Sequence, residues 1–268
     1  MEKIIRNYHT HTSRCGHAER VSDEEYVLEA IKEGFKVLGF ADHAPFPNIV
    51  HSIMRMNFEV LPDYIYSINH LKEKYKDKID IKLGLEIEYY EEKDQYYFDL
   101  LNKYKLDYLI LGQHVAYKPN GKKQFYYDHQ HDNDIEGFKK YKDALIKGID
   151  SGYFAYVCHP DLFLSCASIF DEEIRKISEE ICIAAKNKNI PLEININGLI
   201  KFHNKSLEKD VIGYPSVEFF KIAKQIGNKF IFGIDAHSPS KIKDIPYSLI
   251  EEFLKDTDIT NSDIIDCF

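Results

Sequence analysis

Histidine and carboxylate residues recur along this 268-residue chain at the places where strand-like runs end. The first run delivers His9-Thr10-His11, with His17 in the loop beyond. Later runs deliver Asp42-His43, then Glu86 and Glu88, His114, His159-Pro160-Asp161, Asn195 and Asn197, and Asp235-Ala236-His237. Side chains two apart on a strand point to the same side, so His9 and His11 can reach one cation, and Asp235 and His237 share that spacing. Seven histidines with at least two carboxylates are too many for one tetrahedral ion, so a cluster of two or three metals is implied. Imidazole mixed with carboxylate suits zinc, manganese or iron(II) better than magnesium or calcium. One HxH pair alone is commonly incidental. The weight rests on the joint pattern at nearly every strand end of one face.

Such a set needs parallel strands whose carboxyl ends share a face. The chain alternates β-type runs with longer amphipathic segments, the pattern of a mostly parallel α/β sheet or barrel. Strands are expected at Lys3–His9, Lys36–Ala41, Ile79–Ile87, Asp107–Gln113, Tyr153–Cys158, Pro191–Ile196 and Lys229–Ile234. Ser22-Asp23-Glu24-Glu25 is a capping box that opens a helix with Tyr26, Val27, Ala30 and Ile31 on one face, ending at Gly34. Further helices are expected at Pro62–Asp77, Asp94–Lys105, Ile135–Ser151, Asp171–Asn189, Pro215–Gly227 and Ser240–Lys255. Seven pairs are one short of the eight in a TIM barrel. The expected fold is therefore α/β, a distorted seven-stranded (β/α)7 TIM-like barrel in one domain over residues 1–268, with the metal site at the C-terminal strand ends. Two connections, Pro45–Leu61 and Ala116–Asp134, lack clear periodicity and fall where barrels build their active-site loops.

Composition narrows the function. Acidic residues outnumber basic ones 44 to 35, giving a net charge of −9, which disfavours sequence-independent binding to nucleic acid. An acidic small substrate stays open, because bound metal reverses the local field. No apolar run approaches the roughly 20 residues of a membrane span, and no secretory signal is evident. Five scattered cysteines without a CxxC pair argue against a disulfide framework and for a reducing cytoplasm.

The motifs YHTHTSRCGHA (Tyr8–Ala18), FADHAPFP (Phe40–Pro47), GLEIEY (Gly84–Tyr89), GQH (Gly112–His114), CHPDL (Cys158–Leu162), EININGL (Glu193–Leu199) and GIDAHSP (Gly233–Pro239) run nearly end to end. In this order the chain resembles the PHP (polymerase and histidinol phosphatase) superfamily, specifically its histidinol-phosphatase branch. The resemblance implies hydrolysis of L-histidinol phosphate to L-histidinol and phosphate in histidine biosynthesis, with three divalent transition-metal ions. It assigns His9, His11, Glu86 and Asp235 to one ion. Glu86 would bridge to a second, completed by His114 and His159, and His17, His43 and His237 would take the third. Related phosphatases carry an Arg after the Asn-x-(Ser/Asn)-Gly turn, whereas Asn197-Gly198-Leu199 is followed here by Ile200 and Lys201. Lys201 offers a point charge without the bidentate fork, so Arg55, which matches a family loop position, is the preferred phosphate contact. Asn197 and Glu88 complete the candidate substrate residues.

Asp161 and Asp42 are the candidate acidic catalytic residues, each with a competing role. Asp161 would protonate the leaving group or orient His159, and Asp42 would act or hold His43. Glu88 or Asp161 could also meet the substrate amine. No protein nucleophile is needed, although Ser13 and Cys15 lie near the cluster. A second HxH, His129 and His131, sits in a polar stretch read as a loop or lid, and His51, His70 and His203 read as surface or structural residues. The alternatives are a PHP phosphoesterase for a nucleotide or sugar phosphate, and a metal-binding proofreading module. The acidic charge and the lack of polymerase length disfavour the module.

Overall fold

The computed structural model describes residues 2–47, 54–117, 123–125, 134–203 and 211–266. Its strands are β1 (Arg6–Asn7), β2 (Val37–His43), β3 (Asp80–Ile87), β4 (Tyr108–Leu111), β5 (Val115–Tyr117), β6 (Lys123–Phe125), β7 (Tyr156–Val157), β8 (Leu192–Asn195) and β9 (Phe230–Gly233). Seven of them pair in parallel in the order β1-β2-β3-β4-β7-β8-β9, while β5 and β6 form a separate antiparallel hairpin. A Thr10–Ala236 bridge nearly closes the ring, with His11 N donating to Ala236 O at 2.9 Å and Ala236 N to His9 O at 3.1 Å. The expected (β/α)7 TIM-like barrel is the observed fold.

The helices are α1 (Asp23–Lys32), α2 (Leu61–Tyr75), α3 (Asp94–Asn102), α4 (Ile135–Ser151), α5 (Glu172–Lys188), α6 (Ile196–His203), α7 (Val217–Ile226), α8 (Pro239–Lys243) and α9 (Tyr247–Thr257). The capping box forms, Ser22 N donating to Glu25 Oε1 at 3.2 Å, and α1 buries Tyr26, Val27 and Ala30. Asp171 and Ser216 cap α5 and α7 with their own side chains, which accept the backbone N–H of Ile174 and of Phe219. Among the described residues, no helix is long and apolar enough to cross a membrane.

Four details differ from the sequence expectations. β1 pairs only over Arg6–Asn7, because the Asn7 amide turns the chain there, donating to His9 O at 3.1 Å and to Thr10 Oγ1 at 2.8 Å. The run Pro191–Ile196 ends as strand at Asn195 and turns directly into α6, so Asn197 lies in the first turn of a helix. The expected Ser240–Lys255 helix is two, broken where Pro246 cannot continue the hydrogen-bond ladder. The connection after β4 carries the β5–β6 hairpin, too short to leave a periodic signal.

Alternation divides the core in two. A large cluster fills the space between sheet and helices, and a small one, including Tyr8, Val37, Ala41, Tyr108, Tyr156 and Cys158, fills the barrel. Tyr108 spans that interior, its hydroxyl within hydrogen-bond distance of Tyr8 O (2.6 Å) and Phe40 O (3.0 Å). A β-carbon on Gly84 would lie 2.4 Å from the Tyr108 ring. We expect Gly84→Ala to cost about 1–3 kcal/mol by overpacking. Urea denaturation checks this, and an unchanged midpoint would contradict it.

Candidate metal centre

Toward the carboxyl end of the barrel the inward positions change from apolar to ionisable. On β2 the series Val37, Ala41 continues to His43, which the strand register sets beside Glu86 of β3. Glu86 Oε1 faces His159 Nε2 at 2.7 Å and His114 Nε2 at 3.1 Å. Its Oε2 faces His43 Nδ1 at 2.9 Å, His9 Nε2 at 3.4 Å and His11 Nε2 at 3.5 Å. Asp235 Oδ1 closes one side, 3.1 Å from His11 Nε2 and 3.7 Å from His9 Nε2. His17, His43 and His237 form a further group, with His17 Nε2 and His237 Nε2 3.0 Å apart. Two ligands, His159 (φ 30°) and Asp235 (φ 54°), sit in the left-handed region, a strain that persists only where surroundings enforce it. For His159 the enforcing contact is its N–H, which donates to Glu193 Oε2 at 3.0 Å.

One carboxylate cannot satisfy five imidazoles. His9 Nε2, His11 Nδ1 and Nε2, and Glu86 Oε2 are buried without hydrogen-bond partners. Orphaned buried polar atoms are costly and rare, and here His9 Nε2 and His11 Nε2 both face Glu86 Oε2, while His11 Nδ1 faces Asp42. Cations among the three that converge would satisfy them, so the donor chemistry fits divalent metal.

The electrostatics agree. Burial penalises the Glu86 charge, yet His114, His43 and His9 hold the carboxyl well below its usual range, and Asp235 is held down likewise against its burial by His9 and His237. Burial would depress His11, but the neighbouring carboxylates of Asp235 and Asp42 raise it to about 9. His114, also against burial, is lifted by Glu86 and Glu88 to about 10. Burial and the neighbouring His11 push His237 down to about 3, and burial lowers His17 and His43 too, leaving neutral imidazoles.

A model of the PHP domain matches residues 7–197. The chain belongs to the PHP family. Histidinol-phosphatase of Bacillus subtilis is 25% identical over 261 residues, spanning 88% of this chain and 95% of that one. A candidate histidinol phosphatase structure from Listeria monocytogenes has a TM-score of 0.70 at 25% identity, covering 91% of this chain and 98% of its own. The histidinol phosphate phosphatase of Lactococcus lactis, solved with zinc, L-histidinol and phosphate, has a TM-score of 0.66 at 22% identity, covering 93% and 94%.

A cavity of about 410 Å³ opens onto this PHP cluster. Seven of the nine candidate ligands line it, with Met54, Leu162, Asn197, Lys201 and Tyr214. The other candidate residues lie behind the cavity. Arg55 is buried and bidentate on Glu88 (2.6 and 2.9 Å), with Nη1 also donating to Ala44 O at 2.9 Å. Its guanidinium neutralises a carboxylate that burial would otherwise penalise, so each of the pair already has a buried partner in the other. Glu88 Oε1 in turn lies 3.3 Å from His114 Nδ1 and orients that ligand. Asp42 serves His11 more than the His43 ring: its Oδ1 lies 3.6 Å from His11 Nδ1 and accepts the His43 backbone N–H at 2.8 Å, while Oδ2 accepts from the Thr12 hydroxyl. Asp161 turns its carboxylate to the Ser216 backbone and makes no hydrogen bond to the His159 ring. It is buried, raised to about 7 by that burial, and accepts Ser216 N–H at 2.6 Å. Asn195 and Asn197 direct Nδ2 at Asp235 Oδ2, at 3.3 and 3.5 Å. His51, His129, His131 and Cys267 lie outside the described residues.

Glu193 escaped the sequence reading as a functional residue. Its Oε1 lies 2.7 Å from His9 Nδ1, fixing which nitrogen faces the cluster. Gly233 makes room for it, since a β-carbon there would lie 1.6 Å from Oε1. The usable signal was its place two residues before Asn195 on one strand, the inward period. We expect Glu193→Ala to weaken metal binding on the order of 10- to 100-fold, measured by competition with a chelating dye. Wild-type affinity would remove Glu193 from the site.

His11 and His114 titrate above neutrality in the metal-free protein, so loading at pH 7 must displace protons. We expect affinity to rise with pH toward about 9. Calorimetric titration in buffers of different ionisation enthalpy checks it; the same apparent enthalpy in every buffer would show that no proton is released.

Proposed function

We propose that the chain hydrolyses L-histidinol phosphate to L-histidinol and phosphate, using three divalent transition-metal ions. The observation that carries this reading is a single buried carboxylate, Glu86, reached by five imidazoles beside a cavity of small-molecule size. Its support from relatives is the histidinol-phosphatase names, and the zinc, L-histidinol and phosphate held by the Lactococcus lactis protein. When bound, the metals neutralise phosphoryl charge and bring the ionisation of water to neutral pH. Glu86 would bind between two of them, one oxygen toward His9, His11 and Asp235 and the other toward His114 and His159. His17, His43 and His237 would hold the third. Glu193, Glu88 and Asp42 fix the imidazoles of His9, His114 and His11. Cys15 is buried and its thiol pushed up, by that burial and by Asp42, which leaves it a poor nucleophile.

Lys201, exposed and at the cavity, is the protein cation on the phosphate side, and Arg55 acts on Glu88. Lys201→Ala should then lower kcat/KM for L-histidinol phosphate on the order of ten- to a hundredfold, mostly through KM, with metal content unchanged. Arg55→Ala should instead lose metal, since it leaves Glu88 buried and unpaired beside His114. The reverse pattern in kinetics and elemental analysis would return the phosphate to Arg55.

Protein purified without chelator should carry two to three transition-metal ions per chain. It should also prefer L-histidinol phosphate over nucleotide and sugar phosphates in kcat/KM. A stoichiometry of one or none after supplementation would sink the cluster, and a preferred sugar or nucleotide ester would replace the substrate.

A further inference from the structure

The cavity has an uncharged wall that metal chemistry does not use. Tyr214 and Leu162 line it together with Met54. Tyr214 is built into place from several sides. A β-carbon on Gly198 would lie 2.5 Å from its ring, so the glycine yields the space the ring takes. The ring tilts against Phe202 at 5.3 Å and stands edge-on to His159 at 5.9 Å between centroids. On either side of it the backbone is tied to the segment that carries Leu162: Gly213 N donates to Leu164 O at 3.1 Å, and Ser216 N to Asp161 at 2.6 Å. The Tyr214 hydroxyl makes no hydrogen bond to a described residue. One helix, α6, supplies Gly198 and Phe202 to this wall and Lys201 to the cavity.

We propose that Tyr214 and Leu162 form the subsite for the organic end of the ester, selecting a leaving alcohol that carries a flat ring. The inference rests on the phosphoester-hydrolase reading above. A phosphoryl group gains nothing from an apolar wall and much from ionised ligands and cations, so the two ends of the substrate sort themselves across the cavity. A rigidly held tyrosine ring favours an aromatic partner over an alkyl one of similar bulk, through edge and face contacts beyond area alone. Asp161 acts here at one remove, as a positioning residue that ties down the backbone after Tyr214.

The test separates the two ends. Competitive inhibition by L-histidinol and by inorganic phosphate is measured on the metal-loaded wild type, Tyr214→Ala, Tyr214→Phe and Leu162→Ala, each with its metal content determined. Tyr214→Ala and Leu162→Ala should weaken L-histidinol by about tenfold while phosphate stays within about twofold, and Tyr214→Phe should keep most of the affinity. Equal weakening of both inhibitors, or unchanged L-histidinol affinity in both alanine variants, overturns the subsite. Leu162→Ala keeps the test open should Tyr214→Ala fail to fold. Phenyl phosphate and ethyl phosphate distinguish this from failure of the substrate reading. If the wild type prefers phenyl phosphate but ignores L-histidinol phosphate, the subsite stands and the natural substrate is another ring-bearing ester. No preference between the two simple esters overturns the subsite.

Discussion

Everything at the carboxyl end of this barrel depends on keeping one carboxylate, that of Glu86, ionised inside the protein. An isolated buried carboxylate would take up a proton rather than pay its desolvation. Here five imidazoles surround it and hold its charge. Those imidazoles are in excess of what one carboxylate can bond, and the excess is what makes the cluster a metal site rather than a hydrogen-bonded core. The further carboxylates are placed to settle individual rings. Glu193 takes the far nitrogen of His9, Asp42 faces that of His11, and Glu88 faces that of His114. Each such contact fixes a ring that would otherwise be free to flip.

The barrel wall beneath is built for the same purpose. Two of the candidate ligands lie on strands, and there register sets the spacing: His43 stands beside Glu86 because β2 and β3 pair there. Glycine supplies space where large side chains cross the interior, Gly84 under the Tyr108 ring and Gly233 under Glu193. A site on rigid elements holds its geometry better than one on loops. Most of the other candidate ligands follow within a few residues of a strand's carboxyl end, and His17, the farthest from its strand, joins the most exposed of the candidate groups.

Much of this was legible in the sequence, for identifiable reasons. Strand ends repeat a metal-competent residue type, and a parallel barrel brings strand ends together, so the nine candidate ligands that cluster in the structure could be named before any coordinates. The period of two explained His43 and Glu86 well. It explained His9 and His11 less well, because Asn7 breaks the strand before them and the backbone turn, not the pleat, aims both rings. Partnerships between distant side chains were not legible. That Arg55 would close on Glu88, 33 residues away, or Asp161 on Ser216, 55 away, depends on which charges end up buried together. Neither local pattern nor spacing carries that information. Tyr214 was missed for the same cause: it sits in an irregular segment and reaches the cavity only through the tertiary space that Gly198 leaves.

The two cations near the site illustrate how burial sorts chemically similar residues. Arg55 is a planar fork in a dry setting, satisfied on both arms by Glu88 and by a backbone carbonyl. A guanidinium so placed is worth most to a permanent partner, because its geometry is fixed and its removal leaves a bare buried charge. Lys201 is a flexible point charge on an exposed helix face at the cavity. An ammonium on a long flexible stem can exchange partners more readily than a bidentate guanidinium can. On the proposed reading, the buried pair would hold His114 through Glu88, and the contact to phosphate would fall to the lysine. Sequence resemblance alone ranks the arginine first for phosphate; its buried pairing with Glu88 is the observation on which the proposed order places Lys201 first.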